Sequence, residues 1–530
     1  MDSRPNSASP EPPPRECALW MVAAVVFVLG ILARSVYLEE LPAYIHNDES
    51  ATAIYITPPF FNNPPDPIMF GQNNYGGHAN FGAWLASLYL RAFGGKTLWA
   101  IRMGSMVCGV LSLLFGALLV RSWLGLRAMV FFLAAVVPFH LHIHYSRTGF
   151  IYMQAALFVA LVGYLFASFA RKPSLLNGLL LGVTTGFSLM VYSATQVLLG
   201  VLSIGVPVVL LSKTSREYYG KAAVAKGIGA ALAVVAGTAI SFGSFVYHAY
   251  TGGFSSRFLA QSIFQGHLGR SLVQELWQDA SLRERVTENL KSTASFFWAG
   301  DASNQYGFIG PMLENISYTV VLFGCVVLLY RCVRFDAVAL FVTALSVATI
   351  IGSGLMIEKN FSPHFVAFGL ILPMVGALGL ETACRFLRLR APLWGAGIAI
   401  LLFIPWSYWN CNYYLGFDSR KRNLDTFILQ LPIARESVKN VVNYTPLITD
   451  FSESFYMLRY PHTKFVKRVE VPNLDVMSDA TAFITPPACP CLLILPHEQY
   501  AGFIQSLISS NRGFKEFSFD PAAAKMVYVE

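Results

Sequence analysis

Two adjacent carboxylates, Asp48 and Glu49, stand roughly ten residues beyond the first long apolar run, Ala18 to Leu38, in the stretch Tyr44-Ile45-His46-Asn47-Asp48-Glu49-Ser50. A carboxylate just outside a bilayer has two uses. It can take a proton from a hydroxyl as a general base, or it can cap the first turn of a helix, with a following Glu favoured by the helix dipole. Asp48 is the candidate base. Glu49 could orient an acceptor, disfavour ionisation of Asp48 through like-charge repulsion, or be a solvated neighbour.

The remaining residues with chemical potential are few. His140, His142 and His144 invite a metal reading, and His140 and His144 share a helical face, but no acidic partner lies between them as metalloprotease chemistry requires. Neutral, hydrogen-bonded histidines are expected and no cofactor, a divalent metal being the lesser alternative. A bound phosphate needs positive charge, which Arg supplies through two parallel hydrogen bonds. Arg147, in His144-Tyr145-Ser146-Arg147, and Lys359, in Glu358-Lys359-Asn360, are the leading candidates. The alternatives are an ion pair of Arg147 with a first-loop carboxylate and of Lys359 with Glu358. His364 is a further phosphate candidate, and Arg257 and Arg270 are weaker ones. Asp301 and Asn304, after Trp298, either hold a sugar or brace a turn.

These residues must be positioned by a chain built for lipid. Of its 530 residues 55% are hydrophobic and 13% charged, with a mean hydropathy of +0.51, against about 25% charged in soluble domains. The class is a polytopic α-helical membrane protein. The net charge of +8 comes mostly from Lys and Arg in short loops between apolar runs, which is a topology signal and excludes a nucleic-acid surface. The eight cysteines are scattered, and Cys489 and Cys491, separated by Pro490 alone, make no disulfide framework.

Eleven runs are long enough to cross about 30 Å of hydrocarbon, near 18–38, 99–120, 127–143, 150–170, 174–191, 195–211, 227–248, 312–331, 335–357, 363–384 and 391–411. A twelfth, Ala79 to Phe93, contains Asn80 and ends at Arg91. If it stays on the outer leaflet, the loops carrying Arg121 and Arg127, Arg171 and Lys172, Lys213 to Lys226, Arg331 and Arg334, and Arg385 to Arg390 are all cytoplasmic, and the opposing short loops hold only Arg147 and Lys359. Crossing would reverse that bias. The expected topology has residues 1–17 as a disordered cytoplasmic tail and gathers the first loop (39–98), Tyr145, Arg147, Asp301 and Lys359 on the outer face, where polar groups lining a cavity are tolerated.

Beyond residue 411 charges become frequent and apolar runs short. Leu447 to Asp450, Phe465 to Val471 and Cys491 to Leu495 read as strands, and Ser452 to Arg459 and His497 to Ser510 have helical spacing. Residues 412–530 are expected to form a small extracytoplasmic α/β domain.

The order of these features resembles the GT-C membrane glycosyltransferases, and among them the bacterial protein-mannosyltransferase and aminoarabinose-transferase group. The resemblance rests on the acidic pair after the first span, the Ser146-Arg147 loop after the third, Trp298-Ala299-Gly300-Asp301 before the eighth, and Ser362-Pro363-His364-Phe365 with Pro373 at the tenth. It covers residues 18–411. It implies a GT-C-like membrane domain in a bacterial inner membrane, a polyprenyl-phosphate-linked sugar donor, an extracytoplasmic lipid, glycan or protein acceptor, usually inverting transfer, and Asp48 as base. Arg147, Lys359, His364, Asp301 and Tyr145 would then contact substrate. Two positions depart from the family pattern: Tyr152 stands where an acidic residue often follows Arg147, and His364 where an Arg commonly follows the proline. A lipid or solute transporter and a membrane scaffold remain the alternatives. Repeat symmetry and broken mid-membrane helices would favour transport, and dispensability of Asp48 would favour a scaffold.

Overall fold

A computed structural model describes residues 14–38, 49, 52, 80–95, 97–212, 217–220, 223–251, 279–300, 311–356, 362–387, 394, 397–401 and 403–410, together with the strands 440–443, 464–468, 491–496, 514–517 and 524–529. Asp48, Asp301 and Lys359 lie outside the described residues, as do Arg257, Arg270 and Asn304.

The described helices are, in chain order, α1 (Pro14–Ser35), α2 (Asn80–Ala92), α3 (Leu98–Leu124), α4 (Leu126–Val136), α5 (His140–Arg147), α6 (Tyr152–Arg171) and α7 (Leu175–Ser188). They continue with α8 (Val197–Leu211), α9 (Ala223–Thr251), α10 (Ala280–Ala299), α11 (Asn315–Val333), α12 (Ala337–Gly354) and α13 (Phe368–Phe386), with 3-10 turns at Ser193–Gln196 and Ser362–Phe365 leading into α8 and α13. Seven of them, α1, α3, α6, α9 and α12, with α8 and α13 taken together with their leading 3-10 turns, are long and apolar enough to cross a membrane. The chain is an integral membrane protein.

Of the eleven expected spans, these seven match. The run 127–143 is instead two helices, α4 and α5, bent by 68°, because Pro138 removes a backbone donor; Val137 before it keeps helical dihedral angles. The runs 174–191 and 312–331 yield the shorter apolar helices Leu175–Ser188 and Ser317–Val333, and the last is helical over 397–401 and 403–410. The segment Ala79 to Phe93 forms the 13-residue α2, about 20 Å long at 1.5 Å per residue and too short to cross.

Two expectations change. The helix α1 starts at Pro14, ahead of Ala18, since proline lacks only an N–H that the first turn leaves unpaired and Glu16 suits the dipole there. Part of the expected outer loop 249–311 is the 20-residue α10, which Asp279 caps by accepting from the Ser281 and Leu282 amides and Gly300 ends at φ 81°. A residue without a Cβ is at ease at that angle.

The bundle packs through small residues and carbonyl contacts. Gly178, Gly182 and Gly186 form one stripe of α7 against α9, and a Cβ on Gly178 would lie 2.6 Å from the Ala230 carbonyl oxygen. Such a stripe replaces the hydrophobic drive that lipid does not supply. Replacing Gly182 by valine forces the methyls onto the Val234 backbone and is expected to cost about 1–3 kcal/mol, read as a lower thermal midpoint in detergent. Gly200→Val, where a Cβ meets nothing within 4 Å, should change little; equal midpoints for the two variants would refute the packing argument. Where α4 meets α13, Glu381 accepts from Arg127 Nε at 2.7 Å and Arg385 Nε at 2.7 Å, and Asp336 caps α12 while taking Trp123 Nε1–H at 3.0 Å and Arg331 at 3.0 Å.

The five strands, β1 (Asn440–Asn443), β2 (Lys464–Arg468), β3 (Cys491–Pro496), β4 (Phe514–Phe517) and β5 (Ala524–Val529), make one sheet in the order β2-β1-β3-β5-β4. β1 runs parallel to β2 and β3, whereas β5 is antiparallel to β3 and β4. The expected strands at 465–471 and 491–495 correspond to β2 and β3. β1, β4 and β5 were not anticipated, and Leu447 to Asp450 and both expected helices lie outside the described residues.

Candidate active site

Glu49 is completely buried. Its carboxylate takes Nε of Arg102 at 2.8 Å and Nη2 at 3.4 Å, and the Gly149 amide donates to Oε1 at 2.6 Å. Arg102, also fully buried, donates from Nη1 to the Leu38 carbonyl at 2.9 Å. One ion pair thus fastens the chain at Glu49 to three segments: the end of the first span at Leu38, the second turn of α3, and Gly149, two residues beyond α5. Gly149 is required for this approach, since a Cβ there would stand 2.9 Å from Glu49 Cγ and 2.7 Å from Ile101. Of the three expectations for Glu49, its burial sets aside the solvated neighbour, and its carboxylate is engaged on both oxygens within the protein.

The stretch His144 to Arg147, read as a loop, is helical. Residues His140–Arg147 form α5, and every one of them is buried. Arg147 donates from Nη1 to Ala33 O at 2.7 Å and from Nη2 to Val36 O and Tyr37 O at 2.7 and 2.9 Å. The described bonds of this expected phosphate ligand therefore satisfy the open carbonyls at the end of α1. Arg34 does the reverse. Fully buried, it reaches from α1 to Val137 O at 3.1 Å and Val136 O at 3.4 Å at the break between α4 and α5, where Val136 O also accepts the Phe139 amide. Helix C-termini carry partial negative charge, and so two guanidinium groups sit inside this bundle on carbonyl oxygens.

Arg34 also sets a tautomer. Its Nη2 lies 2.9 Å from His142 Nδ1, and because a guanidinium only donates, Nδ1 accepts and the ring proton is on Nε2. That proton goes to Ser112 Oγ at 2.9 Å, whose hydroxyl donates to Gly109 O at 2.7 Å. His140 gives both its backbone N–H and its Nδ1–H to Asn410 Oδ1, at 2.8 and 2.6 Å. These histidines brace helices. Among the described residues no group of three His, Cys, Asp or Glu side chains could hold a metal ion.

Tyr145, Tyr152 and His364 belong to one buried wall. The Tyr145 hydroxyl is 2.6 Å from Ser362 Oγ, tying α5 to the turn that holds His364. Its ring lies 6.1 Å from both Phe150 and Tyr152, and Tyr152 is 4.8 Å from Tyr192. This aromatic row leads from the Glu49 seat at Gly149 to the turn Ser193–Gln196. Where the family pattern expects an acid, Tyr152 provides a ring. His364 is buried and borders a cavity of about 40 Å³ together with Ser193, Thr349 and Ser353. A larger cavity of about 290 Å³, between α4, α11, α13 and residues 399–409, is walled by groups such as Phe139, Leu372, Gly376, Trp406 and Trp409. It is apolar almost throughout.

The sequence reading passed over Arg34, Arg102 and Tyr192, and it named Ser362 only within the proline motif. The two arginines did carry a signal: a guanidinium inside an apolar run needs a buried partner, and each stands within a turn or so of a span's end.

No family model matches the chain, and a search of curated proteins finds no match. Among solved structures, ArnT from Cupriavidus metallidurans is similar in its state bound to undecaprenyl phosphate and in its apo state, each with 14% identity and a TM-score of 0.47, covering 96% of this chain and 97% of that one. The Archaeoglobus fulgidus oligosaccharyltransferase in the apo form aligns with 14% identity and a TM-score of 0.45, covering 85% of this chain and 64% of that one. At such scores the likeness assigns no residue a role, and roles in this chain rest on its own side chains.

Proposed function

We propose that this protein is a membrane glycosyltransferase that moves a sugar from a polyprenyl-phosphate carrier to an extracytoplasmic acceptor, with Asp48 as general base. The observation that carries the reading is the anchorage of Glu49. A buried two-point ion pair fixes the chain at the residue next to Asp48, and a base must be held in place to meet its acceptor hydroxyl. In inverting transfer the acceptor oxygen attacks the anomeric carbon as Asp48 takes its proton, and the carrier phosphate leaves from the opposite face. Glu49 then acts as a positioning residue, and Arg147 holds α5 on α1.

Lys359 and His364 are assigned to the leaving phosphate, Asp301 to the sugar and Tyr145 to the wall behind them. The apolar cavity at Trp406 suits the isoprenoid chain. The eleven-span topology goes with this reading. It puts the N-terminus in the cytoplasm of a bacterial cell, the outer loops in the periplasm, and 412–530 outside as an α/β domain.

The test is consumption of donor. Purified protein in lipid nanodiscs, given a radiolabelled polyprenyl-phosphate sugar and an envelope extract as acceptor, should release polyprenyl phosphate and pass label to the acceptor. Movement of intact donor across vesicles without release would replace the transferase by the transporter reading.

A further inference from the structure

The small cavity beside His364 lies where three elements meet: the turn Ser193–Gln196 that opens α8, the last turns of α12, and the turn Ser362–Phe365. Its most informative member is Ser353. This side chain is 5% exposed, and among the described residues its Oγ has no hydrogen-bond partner. A buried hydroxyl left unpaired is costly and calls for an explanation, of which a bound water, ion or ligand is one. Ser193, Thr349 and His364 are the other polar lining groups, and Ala194, Val197, Gly352 and Met356 are apolar. Ser193 begins a continuous 19-residue helical span, Ser193–Leu211, whose first backbone N–H groups have no partner within the helix and whose dipole favours negative charge. His364 adds an imidazole. Thr349 turns its proton away, to Leu345 O at 2.8 Å. None of the lining residues, Ser193, Ala194, Val197, Thr349, Gly352, Ser353, Met356 and His364, is acidic.

We propose that this cavity is an oxyanion pocket that takes the terminal oxygens of a phosphate group, with the Ser353 hydroxyl and the helix N-terminus at Ser193 as donors. It rests on the transferase reading for the source of the phosphate, the headgroup of the lipid carrier. A volume of about 40 Å³ equals roughly three water positions at 10–15 Å³ each, which suits the terminal oxygens of one phosphoryl group. The aromatic row Tyr145, Tyr152, Tyr192 connects this pocket to the Glu49 seat, so phosphate and base would face one another across that wall.

The experiment uses the full chain in nanodiscs, wild type and Ser353→Ala, titrated separately with polyprenyl phosphate and with inorganic phosphate, with thermal midpoints measured alongside. Loss of a hydrogen bond to a charged group should weaken polyprenyl-phosphate binding about ten- to a hundredfold, while the midpoint holds or rises because an unpaired buried hydroxyl has gone. Should Ser353→Ala fail to fold, Ser353→Cys keeps the shape with a weaker donor and must show the same loss. Equal affinity in wild type and a folded variant overturns the pocket and leaves the transferase reading standing. Binding of inorganic phosphate alone, lost in Ser353→Ala, keeps the pocket and removes the lipid carrier as its source. No binding of either probe by the wild type overturns both.

Discussion

Asp48→Asn should reduce sugar transfer by about two to four orders of magnitude, the usual cost of losing one general base, while expression, thermal midpoint and polyprenyl-phosphate binding stay at wild-type levels. The amide keeps the size of the carboxylate and removes its basicity, so the loss falls on turnover and not on donor affinity. The measurement is single-turnover transfer at saturating donor. Turnover within a few-fold of wild type would end the assignment of Asp48, and with it the role given to Glu49 as the residue that holds the base.

Breaking the Glu49–Arg102 pair is expected to have the largest effect on stability. Both side chains are fully buried, and removing one partner strands the other charge, which typically costs about 3–5 kcal/mol. Arg102→Met and Glu49→Gln should each lower the unfolding midpoint in detergent strongly. The double variant Glu49→Met/Arg102→Met should recover much of that stability, because two apolar groups of similar length leave no charge behind. Activity should separate from stability in this series. If Glu49 only positions its neighbour, the stable double variant retains donor binding and loses turnover through a misplaced Asp48. Single variants as stable as the wild type would contradict the ion pair as a structural anchor.

Much of this protein was readable without coordinates, because the bilayer imposes a long-range rule on the sequence. A helix must satisfy its own backbone through about 30 Å of hydrocarbon, so α1, α3, α6, α8, α9, α12 and α13 announce themselves as apolar runs, and Asn80 and Arg91 mark the segment that falls short. The acidic pair was also visible as a pair. Its division of labour was not. Glu49 and Asp48 are chemically alike on paper, and only the approach of Arg102 from α3 and of the Gly149 amide from beyond α5 fixes Glu49 as an internal anchor. Arg147 shows the same limit. In sequence it is one of two cations in the short loops expected on the outer side and therefore a candidate phosphate ligand; in three dimensions the open carbonyls of α1 lie within its reach, and the break at Pro138 creates the matching need that Arg34 meets from the other direction. Ser353 and Ser193 stand far apart in the chain and become neighbours only when α8 packs on α12. Sequence determines what each segment can bury, since burial depends on composition and period. Which charge meets which carbonyl, carboxylate or cavity is decided by helices distant in sequence, and a single chain carries no local record of that encounter.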